Sequence, residues 1–179
     1  ALLVVGVFIL ALVMGTLTTY NGLVSKDEAV ATAWGNVQSQ YQRRADLVPN
    51  LVSTVKGYAK HESETLEGVV AARAKATQIT VNADELTSEK LKQYQAAQGE
   101  LSQALGRLMA IQENYPQLKA NENFSELQAQ LEGTENRINE SRQLFNSAVQ
   151  TYNVSVRRFP ANIVAGMFGF EKKSQFEAE

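Results

Sequence analysis

An all-α fold is predicted, with an N-terminal transmembrane helix followed by an elongated antiparallel bundle of three to four long helices. Three observations predict it. Residues Ala1 to Ser25 carry no charged side chain, and Ala1 to Leu17 is apolar nearly throughout. Two stretches further on repeat large apolar residues every seven positions, the signature of helices meshing along a seam. Prolines are confined to Pro49, Pro116 and Pro160, and the body is rich in Glu, Gln, Ala, Leu, Lys and Arg, which lose little on entering a helix.

The N-terminal run comes first. At 1.5 Å per residue, about 20 apolar residues cross a hydrocarbon core of ~30 Å. A cleaved signal has a shorter apolar core, of about 7 to 15 residues, so the length favours a retained anchor over residues 1–22. A lipoprotein anchor needs a cysteine to acylate, and these residues contain none. Beyond the span Lys26 is offset by Asp27 and Glu28, and the next basic residues are Arg43 and Arg44. So weak a positive flank favours a body outside the cytoplasm.

Residues 23–160 form the expected bundle. One apolar stripe runs through Leu23, Val30, Trp34, Val37 and Tyr41, another through Leu51, Val55, Tyr58, Leu66, Val69 and Ala76. Pro49 lies between them, either kinking one rod or opening a new helix. A kinked, nearly continuous rod is favoured, because Arg43 to Leu51 lacks glycine and any strong turn pair. The reversal is expected at the polar segment Ile79 to Ser88, with Thr87 or Ser88 capping the next helix. That helix carries the seam Tyr94, Leu101, Leu108 and Tyr115, with Ala97, Ala104 and Ile111 between. Pro116 stops it, and Gln117 to Glu122 connects to an antiparallel neighbour.

The last long helix has the clearest seam: Phe124, Leu131, Ile138, Phe145, Tyr152 and Phe159, interleaved with Leu127, Thr134, Ser141, Ala148 and Ser155. Asn123 with Glu126 resembles a capping box at its start, and Pro160 ends it. Gly133 sits mid-helix, where glycine costs about 1 kcal/mol relative to alanine, and predicts close packing by a neighbour. Residues 161–179 form a tail whose apolar half holds Ile163, Val164, Met167, Phe168 and Phe170. Such a segment docks on its own bundle, on another subunit or on the bilayer.

Little here specifies a reaction. The single histidine, His61, lies near Glu64, but a metallopeptidase HExxH motif needs a second histidine where Thr65 stands. No cysteine nucleophile, G-x-S-x-G elbow or phosphate-binding glycine loop is present. No metal or cofactor is expected. A formal net charge of -2 with no basic stripe argues against nucleic acid. Of Arg43–Arg44 and Arg157–Arg158, only one arginine per pair can lie near a seam, since successive helical residues point about 100° apart. Glu135, Asn136 and Arg137 are placed to form a polar network with Arg44 or Asp46, as a structural staple or a recognition surface.

Taken together, the motifs Tyr20-Asn21, Ala33-Trp34, Gln42 to Val52 (QRRADLVPNLV), Val55 to Tyr58, Ala120 to Phe124, Leu131 to Ile138 (LEGTENRI), Phe159-Pro160 and Phe168 to Phe170 resemble the bacterial LemA family. The resemblance runs from Tyr20 to Phe170. It implies a single-pass protein of the bacterial inner membrane with a periplasmic helical bundle, encoded in many genomes beside TPM-domain membrane proteins or membrane metallopeptidases, which become candidate partners. It brings no catalytic residue. The residues marked for a structural or interaction role are therefore Arg43, Arg44, Asp46, Pro49, Asn50, Gly133, Glu135, Asn136, Arg137, Phe159, Pro160, Phe168 and Phe170. The leading expectation is a non-enzymatic, self-associating envelope scaffold or adaptor that engages another membrane protein. A regulatory subunit or weak hydrolase using His61 and Glu64, or a lipid-remodelling protein acting through the tail, are the alternatives.

Overall fold

A computed structural model describes residues 1–177. Helix α1 spans Leu2–Lys56, α2 Ser63–Gln78, α3 Ser88–Ala110, α4 Pro116–Lys119, α5 Glu122–Arg157 and α6 Ala161–Phe168, with 3-10 turns at Ala83–Glu85 and Ile111–Asn114. No strand occurs among the described residues. The all-α reading is correct.

Helix α1 is continuous through both the expected anchor boundary at residue 22 and Pro49. Its first part is bare, with Leu2 90% and Leu17 53% exposed. From Leu23 onward it becomes the central wall of an up-down-up-down bundle, packing on α2 and α5, while α2 packs on α3. The chain end bearing the apolar run is called proximal below, and the other end distal.

The rod is broken further along than Pro49, between Gly57 and Glu62. Gly57 is a poor helix former, and here it caps α1, its N–H donating to the Ser53 carbonyl while those of Tyr58 and Ala59 donate to the Val55 carbonyl. Periodicity hides this break. From Val55 to Leu66 is 11 residues, close to three helical turns, so the stripe stays in phase across the corner. Tyr58, counted on that stripe, lies in the corner and is 39% exposed.

Thr87 caps α3, its side chain accepting from Lys90 N–H, one of the two expected caps. For α5 the cap is Asn121, whose Oδ1 accepts from Phe124 N–H at 2.9 Å, and not Asn123. The helix starts two residues earlier because Asn121 itself satisfies a free first-turn donor. At its other end the α5 seam is buried at Phe124, Leu131, Ile138, Phe145 and Tyr152, but Phe159 is 79% exposed. The residue before a proline is pushed out of helical geometry. Pro160 thus ends α5 at Arg157 and turns Phe159 off the seam.

Two hydrophobic clusters fill the bundle. The distal one is largely aliphatic, built on Val48, Leu51, Val55, Leu66, Val69, Leu101, Leu108 and Leu131 with Phe124. The proximal one is aromatic: Trp34, Tyr41, Tyr94, Phe145, Tyr152 and Phe176. Helix α2 completes the distal end only. At the proximal end its place is taken by the loop after α2, with its 3-10 turn, and by the tail after α6. Trp34 Nε1 and Gln38 Nε2 both donate to the Val81 carbonyl, at 2.8 and 2.9 Å, and hold the loop. The tail runs back along α5, where Asn153 brackets the backbone of Lys173, donating to its carbonyl and accepting from its N–H. Asn146 accepts from Phe176 N–H at 2.9 Å. The tail therefore docks on its own bundle through Phe176, which is buried against Trp34 and Phe145.

Candidate functional site

The residues marked in the sequence separate into a buried layer, a helix-to-helix clasp and an open groove. The layer centres on Arg44. Buried core positions of α1 fall at Val30, Trp34, Val37, Tyr41, Arg44, Val48, Leu51 and Val55, alternating by three and four, so the heptad register itself carries Arg44 inside. On α3 the same spacing through Leu91, Tyr94, Gln98, Leu101, Leu105 and Leu108 brings in Gln98. Arg44 Nη2 donates to the Gln98 carbonyl and to its Oε1, at 2.8 and 2.9 Å. Its Nη1 donates to Ser102 Oγ at 2.6 Å and to Glu135 Oε1 at 3.0 Å. The guanidinium is 1% exposed and Glu135 37%.

One side chain of α1 thus grips α3 and α5 together, between the two hydrophobic clusters. Burying an ion pair brings little net stability, because desolvation offsets the attraction. A polar group at a core heptad position instead fixes register, since any slip leaves a charge unpaired. The Tyr41 ring lies 5.1 Å from the guanidinium carbon. Burial, reinforced by Tyr41, raises the Tyr94 hydroxyl well above the usual phenol range, with Arg44 and Gln98 only partly offsetting it.

Pro49 has a different part. Lacking an N–H, it cannot donate to the carbonyl of Ala45, four residues back, which is buried. That carbonyl instead accepts from Arg73 Nε of α2 at 2.9 Å. The proline therefore frees an acceptor that clasps α2 to α1. Asn50 and Asp46 are exposed, and Asp46 accepts from Gln42 Nε2 within α1.

Gly133 is not closely packed. A Cβ placed there would meet nothing within 4 Å. It lies in an open groove between α1 and α5, with Arg43, Leu47, Gln130, Thr134 and Arg137 along its sides. Arg43, Asn136 and Arg137 are exposed, so of the expected network only Arg44 and Glu135 meet. Sequence reasoning missed Gln98, Ser102 and Arg73. For Gln98 a signal exists, a polar residue on the α3 seam, whereas nothing in the sequence points Arg73 at a backbone carbonyl.

His61 stands exposed in the corner before α2 and Glu64 in the first turn of α2, so they do not share a helix face. No cluster of three potential metal ligands occurs among the described residues. A concavity of about 690 Å³ opens at the proximal end between Asp27, Glu28, Asp84, Tyr152 and Lys173. Lys173 pairs with Asp27 at 3.0 Å across it. Burial, with Asp27 and Glu171 adding to it, pushes the Tyr152 hydroxyl up to about 12. Such a hydroxyl stays protonated at neutral pH. Phe168 and Phe170 cross the same end, their rings 4.8 and 5.8 Å from that of Tyr20. Pro160 and Phe159 are exposed at the turn into α6.

Residues 33–179 match the family model described as the LemA family. Magnetosome protein MamQ 2 of Paramagnetospirillum magneticum is 30% identical over 197 residues, covering 99% of this chain and 72% of that protein. Magnetosome protein MamQ of Magnetospirillum gryphiswaldense is 29% identical over 186 residues, covering 94% and 68%. Protein LemA of Metamycoplasma hominis is 23% identical over 158 residues, covering 88% and 68%.

Proposed function

Since the chain belongs to the LemA family, and is a membrane-associated helical protein, we propose that it works as a non-catalytic, single-span scaffold or adaptor of the bacterial inner membrane. Its bundle lies on the periplasmic side, associates with further copies and engages another membrane protein. A TPM-domain protein or a membrane metallopeptidase is the kind of partner expected.

The observation that carries this reading is the use made of the buried charge. Arg44 is buried, and its contacts go to Gln98, Ser102 and Glu135, which join three helices. Polar chemistry inside the bundle is spent on holding it together. What remains for recognition is surface, above all the groove around Gly133, where the exposed Arg43 and Arg137 suit a carboxylate-bearing partner. Tethering in a plane raises the effective concentration of further copies, which favours self-association through modest contacts.

The weak flank after the span supports the periplasmic side. The test is photo-crosslinking in native membranes from a probe at Arg137, with a second probe at His61. Adducts to a second copy and to one recurrent membrane protein from Arg137 are expected. Equal, diffuse labelling from both positions overturns the reading. Loss of a cellular phenotype in His61→Ala, with the fold intact, would favour chemistry at His61 instead.

A further inference from the structure

The proximal end carries a second apolar surface beside the span. Helix α6 turns one face inward, where Val164 and Ala165 are buried with Leu23 of α1. Its other face does not find cover: Ile163 is 55%, Met167 68% and Phe168 53% exposed, and Phe159 just before it 79%. In an 8-residue helix that otherwise holds only Ala, Asn and Gly besides its buried valine, these side chains are most of its surface.

The height of this face along α1 is fixed. The apolar run ends at Leu17, followed by Thr18 and Thr19, and the first charged side chain beyond it is Lys26. Tyr20, one turn beyond Leu17, stands where the apolar layer gives way to headgroups, a level that tyrosine favours. The Phe168 ring touches Tyr20 at 4.8 Å, and Val164 packs on Leu23 one turn higher. The bare surface of the span thus continues, through Tyr20 and Phe168, directly onto the bare face of α6. Arg157 and Arg158, exposed at the end of α5, stand just before it and reach readily to lipid phosphates.

We propose that the outer face of α6 is an interfacial membrane helix, seated in the lipid–water boundary beside the span. The occupant of Ile163, Met167 and Phe168 is the bilayer itself. Two points of attachment, one crossing and one lying at the boundary, then fix the tilt of the bundle and the rotation of α1 about its axis. This rests on Leu2 to Leu17 crossing the membrane.

The chain contains no cysteine, so single labels can be placed without background. Spin labels are put on Met167→Cys, on Leu10→Cys and on Gln103→Cys, an exposed site on distal α3. Each full-length variant is reconstituted in vesicles of phosphatidylethanolamine and phosphatidylglycerol, and relaxation by oxygen is compared with relaxation by a water-soluble nickel chelate. The Met167 label is expected to favour oxygen severalfold more than the Gln103 label, though less than the Leu10 label. A Met167 label as accessible to nickel as Gln103, with Leu10 still buried in lipid, overturns the proposal while leaving the span intact. An aqueous Leu10 label overturns the span, and the proposal with it. A Met167 label that is shielded but shows spin–spin broadening, removed by dilution with unlabelled protein, assigns the face to a second copy and also overturns it.

Discussion

The distal and proximal halves of the bundle solve one problem in two ways. In the distal half four helices close around mainly aliphatic side chains, and each wall covers its neighbours chiefly by periodic contact, with the Arg73–Ala45 clasp as an added tie. In the proximal half α1, α3 and α5 leave gaps that helices do not fill. An aromatic core is closed there by a loop and a tail, tied down through side-chain hydrogen bonds to backbone groups. Periodic packing repeats along a helix and tolerates local change, whereas a backbone tie is a single point. The proximal half should therefore yield to single substitutions that leave the distal half standing.

The largest separation is expected from Phe145→Ala, which removes a fully buried ring touching both Trp34 and Phe176. It should cost about 3–5 kcal/mol in chemical denaturation. Hydrogen exchange would rise in the tail and the loop before it rises in α2, and a uniform rise across both halves would show that they unfold as one unit. Next comes the boundary between them. Arg44→Ala should cost about 3 kcal/mol, since Gln98 loses its partner while Glu135 can still hydrate. Arg44→Met keeps the stem's packing and should cost less. If both variants melt like the parent, the arginine layer does not couple the halves.

Asn153→Ala should cost about 1–3 kcal/mol by releasing both bonds to Lys173. Its signature is faster exchange confined to residues 170–177. Gly133→Ala runs the other way: with open space at the Cβ it should stabilise α5 by up to ~1 kcal/mol. A destabilised Gly133→Ala protein would show that something unseen packs there.

Tyr152→Phe should change least, and only in alkali. Above pH 10 the unfolded tyrosine gives up its proton while the folded one, pushed to about 12, keeps it. Stability present below pH 10 is therefore lost as the pH climbs towards 12. Tyr94 adds to the same loss, so the phenylalanine variant should show a shallower alkaline decline in thermal melts. Parallel curves for the two proteins would remove Tyr152 from that decline.

The same contrast separates what the sequence reveals from what it conceals. Heptads announce α3 and α5, and continuing the α1 stripe by three residues from Tyr41 lands on Arg44. Register also carries Gln98 to the core, so the polar layer was half legible. The Gly57 corner stayed hidden because 11 residues preserve helical phase. Asn146, Asn153 and Gln38 act on backbone groups far away in the chain, and such bonds leave no periodic trace. Gly133 misled for a further reason. A helix-weakening residue shows that space is kept, not which side of the wall the space is on.

Helix α1 passes from the apolar segment into the bundle with no hinge between Leu2 and Lys56. From Tyr20 to its distal tip it extends about 55 Å at 1.5 Å per residue, so a 10° change in the inclination of the buried end swings that tip by roughly 10 Å. With Leu2 to Leu17 seated in lipid as proposed, thickness or curvature of the bilayer would be read out mechanically, as the sweep of a lever arm far above the surface.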